Sequence, residues 1–571
     1  MDCAAFRLST NAAKSLCARL SRAMTYVTII SLFTIGGGIG QTQKQAARIQ
    51  TLIEGKTVPA LSVKDFGATG NGQVVFDAAI TAGISTLKSN SATFTPADVS
   101  KLFDLNGAGT PSCGQQYWGI TGLNMNCNLV GTITGYIDTH DVTLSVNAGT
   151  SVSGGQFKWG TDDTNALKAA LTALTAPRGL GTLYFPSGNY CVSSKLQYAF
   201  VDKTLLGDGE WRSNLWQMNV VAYQSSGTYQ MLTVDNGTKG LTINRLGFEG
   251  SNQNGLLTSS GVATDDGVLV CSGAPGGLGR LCNGDSGISN ILVEDSRFDH
   301  FWGIGFHIPG TSTAAGQQVH NVTITDSLAE WNSADGFNPN VYDGLVMTGD
   351  IALNNGTGGV EATAVLNQKI ANSRFAYNKV CGMAIGGFRD PTIGRSALID
   401  GNTVYMNGNA SASSTEGYGI IIGANQQNAL VTRNTVKQNL LKGIGVVNAR
   451  GATLTKNIQI TRNYVSSNGL SPYTAGSATV GIYVAVSDVT VGQNTVIDEG
   501  LAGYRQAWGI QVGSNLSDII IDPNYVSAPA QAYHIGSGLT NSSYRDPAMY
   551  PNNVIETAGL TAEIPSGQPR K

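Results

Sequence analysis

Charge is scarce in this sequence. Only 13% of its 571 residues are Asp, Glu, Lys or Arg, about half the share of an average soluble domain. The net charge is −3, so there is no basic excess to meet nucleic-acid phosphates, and no nucleic-acid partner is expected. The eight cysteines form no Cys-x-x-Cys pair and no Cys/His cluster at zinc spacing, so no metal and no cofactor are expected. Long apolar runs are missing too. The one that stands out, residues 23–35, is too short for a comfortable membrane span. With Arg19 and Arg22 before it and Gly36 to Gly38 after it, it reads as the apolar part of a secretory signal. That places the chain outside the cell or in the periplasm, with a buried or assembly-linked N-terminal segment, as in a phage particle protein, as the alternative. Cys113/Cys127 and Cys271/Cys282 lie close together in Gly-rich polar stretches and are expected to form loop disulfides, which suits export. Cys191 and Cys381 are expected as small buried hydrophobes.

What is plentiful is glycine, 73 residues, with Asn, Ser, Thr and Val, the composition of an all-β chain with many turns. From about residue 240 the chain repeats. One element recurs as Gly267-Val268-Leu269, Gly305-Phe306-His307, Gly336-Phe337-Asn338, Gly359-Val360-Glu361 and Gly382-Met383-Ala384. It continues through Gly419-Ile420-Ile421, Gly443-Ile444-Gly445, Gly481-Ile482-Tyr483 and Gly509-Ile510-Gln511. A second element carries Asn402, Asn434, Asn463, Asn494 and Asn524. Each unit is too short to bury its apolar face alone, and stacking the units in register does so. Asparagine suits a sharp left-handed corner, and its amide can bond to the next Asn in a stack. The pattern is that of a single-stranded parallel β-helix, all-β in class.

The N-terminal part carries a resemblance. Val63-Lys64-Asp65-Phe66-Gly67-Ala68-Thr69-Gly70-Asn71-Gly72 resembles the opening of the pectate-lyase-like superfamily of right-handed β-helices. Gly160-Thr161-Asp162-Asp163-Thr164 matches the family's helix start, delayed here by an inserted β module at about 73–159, with the capping helix running from Asn165 to about Leu174. Gly181 to Tyr190 and Leu206-Gly207-Asp208-Gly209 match its first strand and next corner. The division expected is a leader and linker over 1–60, an N-terminal cap over 61–205, the coil over 206–535 and an extended tail over 536–571. The superfamily includes lyases, hydrolases, epimerases and phage tailspikes, so the resemblance implies a polysaccharide partner more than one reaction. Some of these proteins are trimers, which leaves a homotrimer open.

The stack places candidate chemistry. If the apolar residue after each repeat glycine points inward, the next residue points outward. Read down that outward column, His307, Asn338 and Glu361 are consecutive, about 4.8 Å apart per rung. Asp266 and Asp335 each precede a repeat glycine, and Asn340 extends the polar patch. The leading expectation is a glycoside hydrolase with Glu361 and Asp335 as acid and base, aided by Asp266 and by His307 as proton carrier or hydrogen-bond donor. Asn338, Asn340 and the aromatics Trp302, Trp331 and Tyr342, with Phe301 and Phe388, would hold the sugar, and Arg389 or Arg374 a substrate carboxylate. Gly336-Phe337-Asn338-Pro339-Asn340 resembles the Tyr-Gly-Phe-Asp-Pro-His motif of mannuronan C5-epimerases, with Asp335, Asn338 and Asn340 where that motif has Tyr, Asp and His. A lyase or uronan C5-epimerase is therefore one alternative. A tailspike or surface glycan-binding protein with little catalysis is the other.

Overall fold

The computed structural model describes residues 60–571 except 112–126, 178, 180, 219–229, 253–265, 271–286, 310–318, 363–365, 387–394, 409–416, 424, 449–453, 470–478, 502, 529–530, 545–553, 556–559 and 562–571. The signal-like run, Cys113, the Cys271/Cys282 pair, Phe388 and Arg389 lie outside the described residues.

The strands stack into three long parallel sheets of 15, 12 and 13 strands. One turn of the coil visits each sheet once. Ile288–Glu294 lies in the first sheet, Arg297–Asp299 in the second and Phe306–Ile308 in the third, before Val319–Thr325 returns to the first. Alternate side chains point into the coil, where Ile, Val, Leu and Phe from all turns make one continuous core. Phe306, Phe337, Val360 and Met383, each following a repeat glycine, are wholly buried in it. Among the described residues no helix is long and apolar enough to cross a membrane.

The glycines recur for a definite reason. Two ladders of amides run along the corners, not one. Asn402, Asn434, Asn463, Asn494 and Asn524 bond side chain to side chain at 2.9–3.0 Å, as the sequence suggests. A second ladder links Asn332, Asn355, Asn378, Asn407, Asn439, Asn468 and Gln506. A Cβ on Gly305 would sit 2.7 Å from the Gly336 carbonyl oxygen and 2.9 Å from the Asn332 amide nitrogen, and the same clash repeats down the column. Only glycine lets the third sheet begin this close to the ladder. One expectation is corrected here. The left-handed residues are not the ladder asparagines but their predecessors: Gly401, Arg433, Arg462 and Gln493 in one ladder, Trp331, Asn354, Tyr377, Met406, Gln438 and Ser467 in the other. The Asn side chain turns inward to satisfy backbone groups that the corner leaves open.

The opening motif and the helix are tied as a unit. Helix α1 (Thr164–Thr175) is N-capped at Asp163, whose carboxylate instead accepts from the backbone N–H of Thr69 at 2.5 Å and of Gly70 at 3.0 Å. Asp162 accepts from the Thr164 N–H at 3.0 Å. Between the opening and the helix, six strands from Gln73–Ile80 to Val152–Gly160 close into an antiparallel barrel with its own core around Phe94, Phe103, Phe157 and Trp159. The thiols of Cys191 and Cys381 are buried among apolar side chains, as expected. The chain past 536 is not merely an extended tail. Ser542–Tyr544, Val554–Ile555 and Leu560–Thr561 add further strands to the first and third sheets.

Candidate functional site

The register of the third sheet fixes the outward column. Leu269 pairs with His307, His307 with Asn338, and Phe337 with Val360, which sets Asn338 beside Glu361. Glu361 pairs with Ala384, and the column runs on through Ile421, Gly445, Tyr483, Gln511 and His534. His307, Asn338 and Glu361 therefore stand on one outer wall on successive rungs, as the alternation predicts.

Their partners divide them. Asp266 is fully buried; one carboxylate oxygen accepts from the Ile304 N–H at 2.9 Å, and the other meets His307 Nδ1 at 2.8 Å. Nδ1–H donating to the carboxylate leaves Nε2 as the basic nitrogen of a neutral ring. Asp335 sits in the equivalent place two rungs on but meets no histidine. One oxygen accepts from the Gly358 N–H at 2.8 Å and from the Thr357 hydroxyl, and the other accepts from the Asn338 amide at 2.9 Å. The Asn340 side-chain amide in turn donates to Asn338 Oδ1 at 2.5 Å. Glu361 is half-buried and stands one rung on from Asn338.

Several expected residues fall elsewhere. Trp302 is buried, with its indole N–H donating to Ser251 Oγ at 3.2 Å, and Phe301 is in the coil interior, so neither shows a face to a sugar. Trp331 is exposed at the corner between the second and third sheets, its ring stacked with His300. Tyr342 lies at the corner that leaves the third sheet and packs edge-on against His320. Arg374 belongs to the second sheet, away from the column. Asp266, at 0% exposure, is out of a substrate's reach, which does not suit the direct catalytic role expected of it.

Another part of the same wall was missed. The position just before each repeat glycine carries Asp266 and Asp335, and further along it carries Tyr418, Lys442 and Trp508. Lys442 Nζ lies 4.7 Å from the Tyr418 ring centre and 5.0 Å from that of Tyr483, and burial lowers its pKa to about 8. Trp508 stacks on His534 at 4.3 Å. Reading that column of the repeat to its end would have found them.

Two family models match the chain: a right-handed β-helix region over residues 278–458, and a rhamnogalacturonase A/epimerase, pectate-lyase-like model over 160–275. Together the two models identify residues 160–458 as a pectate-lyase-like, right-handed parallel β-helix. Mannuronan C5-epimerase AlgE5 of Azotobacter vinelandii is 28% identical over 253 residues, which cover 43% of this chain and 23% of that protein. The chain thus spans less than a quarter of that curated relative. The A-module of mannuronan C-5 epimerase AlgE4 from the same organism superposes with a TM-score of 0.51 at 19% identity, covering 66% of this chain and 96% of the module. That likeness establishes a shared β-helix fold.

Proposed function

We propose that this protein processes a uronate-containing polysaccharide by removing the proton beside the sugar carboxylate, as a lyase or C5-epimerase, with His307 as the base. The observation that carries the reading is the His307–Asp266 pair. A fully buried carboxylate on Nδ1 fixes the tautomer and turns Nε2 into a proton acceptor on the outer wall. The similarity to mannuronan C5-epimerases supports the substrate class. Hydrolysis by paired carboxylates, the leading expectation from sequence, is less well served. It needs two carboxyl groups about 5–5.5 Å or about 6.5–9.5 Å apart. Asp335 spends both oxygens on the frame and Asp266 is sealed inside, so neither is placed to work with Glu361 as the second carboxylate.

In the proposed reaction His307 Nε2 takes the C5 proton, and the electron pair moves into the sugar carboxylate. Asn338 has a second amide N–H beside the one given to Asp335, and it donates this to the carboxylate as charge builds there. The pair then returns either to expel the glycosidic oxygen or to take a proton from solvent water on the opposite face. Glu361, one rung on, supplies a proton to the departing oxygen in the first case.

The test is to incubate the protein with polymannuronate or polygalacturonate in D₂O. Deuterium at C5, from reprotonation, or unsaturated uronate ends, from elimination, or both are expected. His307→Gln should lower both by about 10²–10⁴-fold, the usual share of a general base. New reducing ends with neither deuterium nor unsaturation would overturn the reading in favour of hydrolysis, and loss of those ends in Glu361→Gln would locate it.

A further inference from the structure

The corner between the first and second sheets holds a cavity of about 430 Å³, within the size range of small-ligand sites. It is lined by Asp208, Glu210, Trp211, Arg212, Arg245 and Asp295. It lies at a different corner from the His307 column, which belongs to the third sheet. Trp211 is 58% exposed.

The loop that carries Trp211 is rigid. Asp208 accepts from the Tyr184 hydroxyl at 2.6 Å and from the Ser187 N–H at 2.8 Å, and its own N–H donates to Ser213 Oγ at 2.9 Å. Arg297, itself buried, donates through Nε to the Glu210 carbonyl at 3.2 Å, and its guanidinium lies 4.0 Å from the Trp211 ring centre. One face of the indole is therefore backed by a planar cation and the other is open. A Cβ on Gly247 would strike the Glu210 carbonyl at 2.4 Å, so a bare glycine is what lets the next turn hold this loop. Such prior ordering lowers the entropic cost of gripping a ligand.

The rim is polar and mixed in sign. Glu210 and Asp295 both have raised pKa values, through burial first and then through neighbouring carboxylates. Arg212 and Arg245 bring two cations to three carboxyl groups. An aromatic face ringed by planar donors and acceptors fits a pyranose, whose faces are apolar and whose edge is hydroxyl. The carboxylates disfavour a uronate, and the arginines spread among them leave no field strong enough to capture a bare cation. We propose that this corner is a second glycan-binding site, separate from the His307 wall, in which a neutral sugar unit stacks on Trp211 and its hydroxyls bond to Glu210, Asp295 and Arg245.

Affinity electrophoresis of the full chain through gels holding dextran, soluble starch or galactomannan, with polygalacturonate as the anionic comparison, tests this. At least one neutral glycan should retard the protein. Trp211→Ala should weaken that retardation about tenfold, the scale of one lost aromatic contact, while Trp211→Phe keeps most of it. A urea midpoint for each variant separates lost binding from lost folding. His307→Gln should leave the retardation unchanged, so this site and the proposed reaction fail independently. No retardation by any of the three neutral glycans, or equal retardation of wild type and a folded Trp211→Ala, would overturn the proposal.

Discussion

Asp266 and Asp335 occupy the same place in their turns, yet only one of them holds a histidine. Both accept a backbone N–H from the next rung, so both support the frame, and the difference lies in what the second oxygen does. Asp266→Asn should place an amide N–H against Nδ1 and move the imidazole proton to Nε2. Uronan processing should then fall by about 10²-fold or more with the fold intact, an outcome read from rates and a circular-dichroism melt together. Asp335→Asn should act mainly on stability, by about 1–3 kcal/mol in urea unfolding, through weaker bonds to Gly358 and Asn338. Equal activity losses in the two variants would erase the distinction drawn between them. Lys442 gives a third case. Its burial makes the charged form unfavourable, so its folded pKa of about 8 lies below the ordinary lysine value. Between those two pH values the unfolded chain binds more protons, and stability rises with pH. Lys442→Met should flatten that rise and raise stability at pH 7 by roughly 1–3 kcal/mol. Alternation along a strand was enough to find His307, Asn338 and Glu361. It could not show that Asp335 was saturated, because the N–H of Gly358 and the hydroxyl of Thr357 come from a turn 22–23 residues away.

The amide ladders decide stability at the scale of the element. Corner residues such as Trp331, Tyr377 and Met406 hold φ values of 54–59°, a conformation that costs a side chain about 1–2 kcal/mol. Each is followed by an asparagine that repays the corner with bonds to three turns. Asn407 accepts from the Asn378 N–H and amide, and donates to the Phe375 carbonyl at 3.0 Å and to Asn439 at 2.9 Å. Asn407→Ala strands several buried donors and acceptors at once. A loss of about 3–5 kcal/mol is expected, since each buried orphan costs roughly 1–3 kcal/mol. An unchanged urea midpoint would contradict the ladder's role. The first ladder was visible in the sequence because its asparagines recur about every 30 residues. The second recurs less evenly, every 23–32 residues at 332, 355, 378, 407, 439 and 468, and it sits just ahead of the more conspicuous repeat glycines. Those glycines and that ladder are one feature, since the amide occupies the space a Cβ would need.

For the molecule as a whole, the question is how an antiparallel barrel is held to a parallel coil. The contact is made of charge as well as apolar surface. Lys158 of the barrel, almost wholly buried, pairs with Glu249 of the coil at 2.5 Å and donates to the Gly250 carbonyl at 3.3 Å. Burial pushes the Glu249 carboxyl up, but Lys158 and Arg297 outweigh it and hold it below the usual range. Asp104 of the barrel is the opposite case. Burial raises its pKa to about 8 against the pull of Lys158, and among the described residues neither of its oxygens has a hydrogen-bond donor in place. Asn128, close enough to interact with it, spends its amide nitrogen on the Ser251 carbonyl of the coil at 2.7 Å and leaves its own oxygen unpaired. A protonated Asp104 supplies the donor that this oxygen lacks. The folded carboxyl keeps its proton up to about pH 8, while the unfolded one releases it near pH 4. Between those values the native state binds more protons, so stability is greatest below the unfolded pKa and falls as pH rises through 8. Asp104→Asn offers Asn128 an N–H at every pH. It should remove that downward slope and stabilise the protein at pH 8 while changing little at pH 4. Urea midpoints measured across pH 4–9 decide the matter, because a slope that survives the substitution would place the titrating group somewhere other than at the seam between barrel and coil.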